Sequence, residues 1–142
     1  VDPKIKNCPK QEFPTPACSN SCSEKNYATA YEADKHKASS SYSVPSDVAK
    51  IQSEIMTNGP VTGAFTVYAD FPSYKSGVYV PTSSQELGGH AIKIIGWGVE
   101  DGKDYWLINN SWNKDWGLGG TFKIIRGTDS CGIEDQISAG LA

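Results

Sequence analysis

The chain has 142 residues, 38% of them hydrophobic, and a formal net charge of -3. That length suits one domain or a large part of a two-domain protein. The mild acidity gives no reason to expect nucleic acid or an anionic membrane as partner, and the apolar runs are far too short to span a bilayer. Fourteen glycines, eight prolines, seven tyrosines and four tryptophans favour strands and turns over a helical bundle. No signal peptide is evident, so the protein is expected to be cytosolic or already freed of a leader.

The N-terminal stretch to about residue 30 is polar, Pro-rich and irregular, and reads as a loop with covalent anchors. Cys8, Cys18 and Cys22 crowd it, whereas Cys131 stands alone in "TDSCGIED". Closely spaced cysteines among prolines suggest a disulfide-stapled, non-cytosolic segment. Three is an odd number, and the Cys18–Cys22 pair is too close to brace much by itself. A zinc site with His36 as fourth ligand is the alternative, but its spacing fits none of the usual zinc patterns. Bonding of these cysteines to something outside the chain is the better reading.

"YEADKHKASSSYSV" is a polar connection with a short strand expected at its end. "SDVAKIQSEIMTNG" predicts a helix, with Ser46 as N-cap, Asp47 in the first turn and Asn58-Gly59 at the exit. Val48, Ile51, Ile55 and Met56 lie at helical spacing and should form its core-facing side. From Pro60 onward the pattern turns to strands: "VTGAFTVYAD", "GVYVP", "HAIKIIGWGV", "DYWLINNSW" and "GTFKIIRG". "GVEDGKD" signals a hairpin with Asp101-Gly102 at its tip. Several strands and one packed helix predict a partly closed β-barrel or sheet. Trp97, Trp106, Tyr68, Tyr74 and Tyr79 read as core and strand packing.

His90 is one of two histidines, and histidine most readily exchanges protons near neutral pH. Gly88 and Gly89 before it permit close approach of a backbone or ligand. If the strands on either side of Asp101-Gly102 pair, His90 and Asn110 meet near one end of them. The Asn110 carbonyl can then accept a hydrogen bond from the imidazole, fixing its tautomer and aiming the other nitrogen outward. Trp112 can cover that bond. Such a pair is half of a nucleophilic site, whose natural partner is a cysteine thiolate. None of the four cysteines suits. The first three lie in the Pro-rich loop, and Cys131 is expected to pack as a buried free thiol. Asn109-Asn110-Ser111 formally matches a glycosylation sequon, but it adjoins an asparagine that must be buried, and is discounted.

"LGGHAIKIIGWG" followed by "YWLINNSWNKDWG" resembles the His and Asn segments of papain-like cysteine proteases. "NGPVTGAFTVYADFPSYKSGVY", "DKH" and "RGTDSCGIEDQISAG" resemble the cathepsin B branch, and the likeness covers nearly the whole chain. It implies an α+β, papain-like fold. Residues 23–142 would be mostly the β-barrel right-hand domain with one packed helix. Residues 1–22 would be an occluding-loop remnant and a disulfide-anchored connection. The family's nucleophile lies in a Cys-Gly-Ser-Cys-Trp motif, with His and Asn roughly 130–150 residues downstream. Only 89 residues precede His90 and the motif is absent. The resemblance therefore implies a C-terminal portion of such an enzyme, with the nucleophile on a separate segment that Cys8, Cys18 and Cys22 would hold by disulfides.

By position, the resemblance makes His90 the general base and acid and Asn110 its orienting partner. Trp112, supported by Trp116, would shield the pair and flank the leaving-group side. Gly88 and Gly89 would line the cleft. Ala64 and Ala91 would line the pocket for the side chain two residues before the scissile bond. Gln136 stands where mammalian cathepsin B has a Glu at the pocket base, so a weaker preference for Arg is expected there, unless the adjacent Asp135 compensates. The His-His pair that supports carboxydipeptidase action in that branch is not in this chain. His36 matches a different position. The implied activity is that of a cysteine endopeptidase, with carboxydipeptidase activity open, acting on peptides or proteins through a thioester. It needs no metal or cofactor, sits in a lysosomal, vacuolar or secreted location, and has cystatin-type or propeptide inhibitors as further partners. A non-catalytic homologue or fragment that binds peptides is the alternative.

Overall fold

The computed structural model describes residues 15 and 17–141. Two compact units, Val1–Lys37 and Ala38–Ala142, divide the chain. The first, in its described part, is a run of turns. Tyr27 donates its hydroxyl to Asp34 at 2.8 Å, and Lys35 pairs with Glu32 while lying over the Tyr31 ring. Cys18 and Cys22 are exposed and not bonded to each other, and Cys8 lies outside the described residues.

The second unit is one seven-stranded sheet with a single α-helix. In chain order it comprises β1 (Ser40–Val44), α1 (Val48–Asn58), β2 (Val61–Tyr68), β3 (Val78–Tyr79), β4 (Glu86–Glu100), β5 (Lys103–Asn109), β6 (Thr121–Ile125) and β7 (Ile137–Leu141). The strand order is β1-β7-β2-β4-β5-β6-β3. Alternation sets the buried face: Val61, Phe65 and Val67 on β2, Ile92 and Ile94 on β4, Trp106 and Ile108 on β5, Phe122 and Ile124 on β6. A register shift between Ile94 and Gly96 inserts one extra residue into β4. The β4–β5 hairpin turns at Asp101 (φ 51°) and Gly102 (φ 74°), the left-handed pair that a tight two-residue turn requires.

The helix corrects the sequence reading twice. Its N-cap is Asp47, not Ser46: Asp47 is extended and its carboxylate accepts the Lys50 amide at 2.9 Å. Ser46 lies one residue too early for its side chain to reach that amide. Ile51 is fully buried, with Val48 and Ile55 packed beside it, but Met56 is 77% exposed. Met56 is five residues past Ile51, about 140° round the helix, so it leaves the packed stripe. The exit at Gly59 (φ 99°) is as expected, with its amide bonded to the Ile55 carbonyl.

Two further differences bear on the site. β4 begins at Glu86, so Gly88 and Gly89 lie within a strand rather than before one. β7, which the sequence reading did not include, lies between β1 and β2, pairing along β1 and with Thr62 of β2 through Ser138. The core centres on Phe71, fully buried just after β2. Its ring lies 4.8–5.3 Å from those of Phe65, Tyr79, Trp112, Trp116 and Phe122.

Candidate active site

His90 sits in β4 opposite Phe65 of β2, and Asn110 is the first residue past β5. The Asn110 amide bonds to the Gly120 carbonyl at 2.9 Å, next to the Asn109–Thr121 pair of the β5–β6 ladder. This brings the Asn110 Oδ1 to 2.8 Å from His90 Nε2. The same oxygen accepts the Ser111 amide at 2.8 Å, which fixes the orientation of the Asn110 amide group. A carbonyl oxygen only accepts, so the imidazole proton is on Nε2 and Nδ1 is the nitrogen left to exchange a proton.

Trp112 stacks on the imidazole with centroids 5.1 Å apart and an interplanar angle of 26°. Trp112 in turn packs on Phe71 and Trp116. Trp116 is tethered by its indole N–H to the Pro72 carbonyl at 2.9 Å. The half-buried imidazole therefore leans on the aromatic core, which restricts its rotation.

Asp70 holds the segment leading into β4. It accepts from the Tyr79 hydroxyl at 2.8 Å, the Thr82 amide and hydroxyl at 2.7 Å each, and the Ser83 amide at 3.3 Å. Burial pushes its carboxyl pKa up, but the bonds from Thr82 and Tyr79 outweigh that and hold it well below the usual carboxylate range.

A cavity of about 470 Å³, reached from His90 through its chain neighbour Ala91, brings Ala64, Ala91 and Gln136 together, with Asp135. Its size is adequate for an amino-acid side chain. A neighbouring cavity of about 290 Å³ shares Ala64, Asp135 and Gln136, and adds Gly89 and Cys131. Gly88 lines neither of these two; it faces Val67 across the β2–β4 ladder with φ 131°, a backbone conformation that suits glycine.

Cys131 is half-buried rather than buried. Burial pushes its thiol pKa up, the Ser130 hydroxyl opposes this, and the Asp70 and Asp129 charges add to the rise. A thiol held protonated is a poor nucleophile. Among the described residues no group of three His, Cys, Asp or Glu is placed to hold a metal ion. No helix among them is long and apolar enough to cross a membrane.

Glu134 was not singled out in the sequence. It is buried, and its carboxylate accepts from Trp106 Nε1 at 2.8 Å, from the Gly127 amide at 2.6 Å and from the Asp129 amide at 3.0 Å. No periodicity marks a buried acid in "CGIEDQ". The only signal was its place between two isoleucines at a loop end.

The sequence model described as papain family cysteine protease matches residues 4–141. The chain belongs to the papain family. Within it, the chain is 56% identical over 135 residues to cathepsin B-like cysteine proteinase 4 of Caenorhabditis elegans, covering 95% of this chain and 40% of that one. It is 57% identical over 136 residues to the gut-specific cysteine proteinase of the same organism, covering 96% and 40%. The papain-family chain thus spans about 40% of the length of these relatives. Its fold matches procathepsin B S9 from Trypanosoma congolense with a TM-score of 0.82 at 36% identity, covering 97% of this chain and 47% of that one. Digestive procathepsin L2 from Tenebrio molitor larval midgut matches with a TM-score of 0.71 at 35% identity, over 79% of this chain and 36% of that one. The α+β, papain-like fold expected from the motifs is therefore the fold of this papain-family chain.

Proposed function

We propose that this chain supplies the proton-transferring half of a cysteine peptidase active site. The observation that carries the reading is the 2.8 Å bond from His90 Nε2 to Asn110 Oδ1 under the stacked Trp112. It leaves Nδ1 to pair with a thiolate. The thiolate comes from an upstream segment outside these 142 residues, since none of the four cysteines of this chain suits the role.

In this reading the thiolate adds to the scissile carbonyl carbon. The imidazolium Nδ1–H then protonates the departing amine as the C–N bond breaks, leaving a thioester. Neutral His90 next takes a proton from water, whose oxygen attacks the thioester carbon and releases the acid and the thiolate. Asn110 orients the ring, and Trp112 keeps water from competing for the Nε2 bond. The cavity of Ala64, Ala91 and Gln136 receives the side chain two residues before the scissile bond, with the cleft running past Gly88 and Gly89.

Residues 1–22 form the occluding-loop remnant and residues 23–142 the right-hand domain. Cys8, Cys18 and Cys22 form disulfides to the upstream segment, and the exposure of Cys18 and Cys22 supports this. Disulfides and this family suit a lysosomal, vacuolar or secreted location. A propeptide or a cystatin-type protein would occupy the same cleft, and carboxydipeptidase action would require a His-His pair that these 142 residues do not supply.

The test is peptide hydrolysis by the full-length, processed protein under reducing, mildly acidic conditions. Wild type should cleave fluorogenic peptides, and His90→Ala should lower kcat by roughly 10²–10⁴-fold. Absence of cleavage by wild type would favour the non-catalytic, peptide-binding alternative.

A further inference from the structure

We infer that Glu134 is a positioning residue for substrate selectivity, fixing the loop that presents Asp135 and Gln136 to the cavity beside Ala64. This rests on the reading of that cavity as the substrate side-chain pocket.

Glu134 is 6% exposed and lies one residue before the two that line both cavities. Its Oε1 takes the indole N–H of Trp106, a fully buried residue of β5, and the amide of Gly127. Its Oε2 takes the amide of Asp129, and Asp129 Oδ1 accepts the Glu134 amide at 2.9 Å in return. One carboxylate thereby joins the sheet to the far limb of the loop, while a reciprocal bond ties the two limbs together.

The loop needs such fastening. Gly127, Asp129, Cys131 and Gly132 all have positive φ, at 87°, 47°, 60° and 73°. Two of these are not glycine, and a left-handed conformation there persists only when the surroundings over-determine it. Ile133 and Ile137 also anchor the loop by burial, but apolar contacts are non-directional and do not set the rotation of the backbone between them. The directional bonds of Glu134 do. They decide how far Gln136 reaches toward Ala64.

The perturbation is Glu134→Gln in the full-length enzyme. An amide has a single acceptor oxygen. If that oxygen keeps Trp106 and Gly127, the NH₂ faces the Asp129 amide, donor against donor. Asp129→Gly is the milder companion, because it removes the reciprocal bond while suiting the left-handed backbone.

The readout is the ratio of kcat/KM for two peptides that differ only in Arg or Leu two residues before the scissile bond. Active sites are titrated beforehand. Both variants should shift this ratio more than twofold in the same direction, with kcat for the better peptide falling less than KM changes. A merely structural role would lower the thermal midpoint and the titratable fraction but leave the ratio alone. Ratios within twofold of wild type in both variants would overturn the inference. If Glu134→Gln does not fold, the Asp129→Gly ratio decides alone. Wild-type enzyme that cleaves neither peptide would overturn the peptidase reading itself, and this inference with it.

Discussion

Replacing Asn110 with Ala separates the catalytic from the structural worth of one residue. The substitution removes the acceptor of the His90 Nε2–H bond. A hydrogen bond to an ionised group contributes about 1.5–3 kcal/mol, which corresponds to roughly a 10- to 150-fold loss of kcat/KM. Stability should respond much less. Oδ1 loses two partners, His90 and Ser111, but His90 is only half-buried and Ser111 is exposed, so both freed N–H groups reach water. The assay is kcat/KM of active-site-titrated full-length enzyme on a fluorogenic peptide, with thermal unfolding in parallel. A loss of less than threefold in a variant of unchanged midpoint would refute the view that this bond organises the imidazole. A large fall in midpoint would show that the bond is chiefly structural.

Three further outcomes are expected. Asp70→Asn should lower the thermal midpoint near neutral pH, because a carboxylate whose folded pKa is depressed stabilises the fold above its unfolded pKa of about 3.9. That advantage is lost as pH falls further toward the folded value, so the gap between variant and wild type should narrow below about pH 4, and a pH-independent gap would contradict the carboxylate's role. Gln136→Glu should raise kcat/KM for peptides with Arg two residues before the scissile bond by roughly two- to fivefold, the modest size set by the exposure of that position. No rise would show that Gln136 does not face that side chain. Alkylation of the denatured, unreduced full-length protein should modify Cys131 and spare Cys18 and Cys22, mapped by peptide mass; modification of Cys18 or Cys22 would contradict their proposed disulfides.

The parts of the fold legible in the sequence are those where one physical requirement leaves few residue choices. Asp101-Gly102 announced its hairpin because both turn positions need positive φ. The strands β2, β4, β5 and β6 were visible through alternating apolar residues. Pairing across that hairpin then brought Asn110 to His90. Other features lacked such a signature. β7 buries only Ile137 among its five residues, so nothing alternates. Met56 entered the helical stripe for its apolar side chain, although its spacing of five from Ile51 already sets it about 140° round the helix. Ser46 and Asp47 are both competent caps, and only the point at which the backbone turns helical chooses between them. Glu134 reads as a surface acid until Trp106, 28 residues away in sequence, is seen to need its carboxylate. Long-range polar pairing is set by the tertiary fold, and local pattern carries no trace of it.

The most direct test of the account is to label the full-length, reduced protein with a thiol-directed peptidyl vinyl sulfone and map the modified residue by mass. The account predicts one modified cysteine, outside the 142 residues of this chain, and loss of that labelling in His90→Ala. Labelling of Cys18, Cys22 or Cys131, or undiminished labelling without His90, would contradict it.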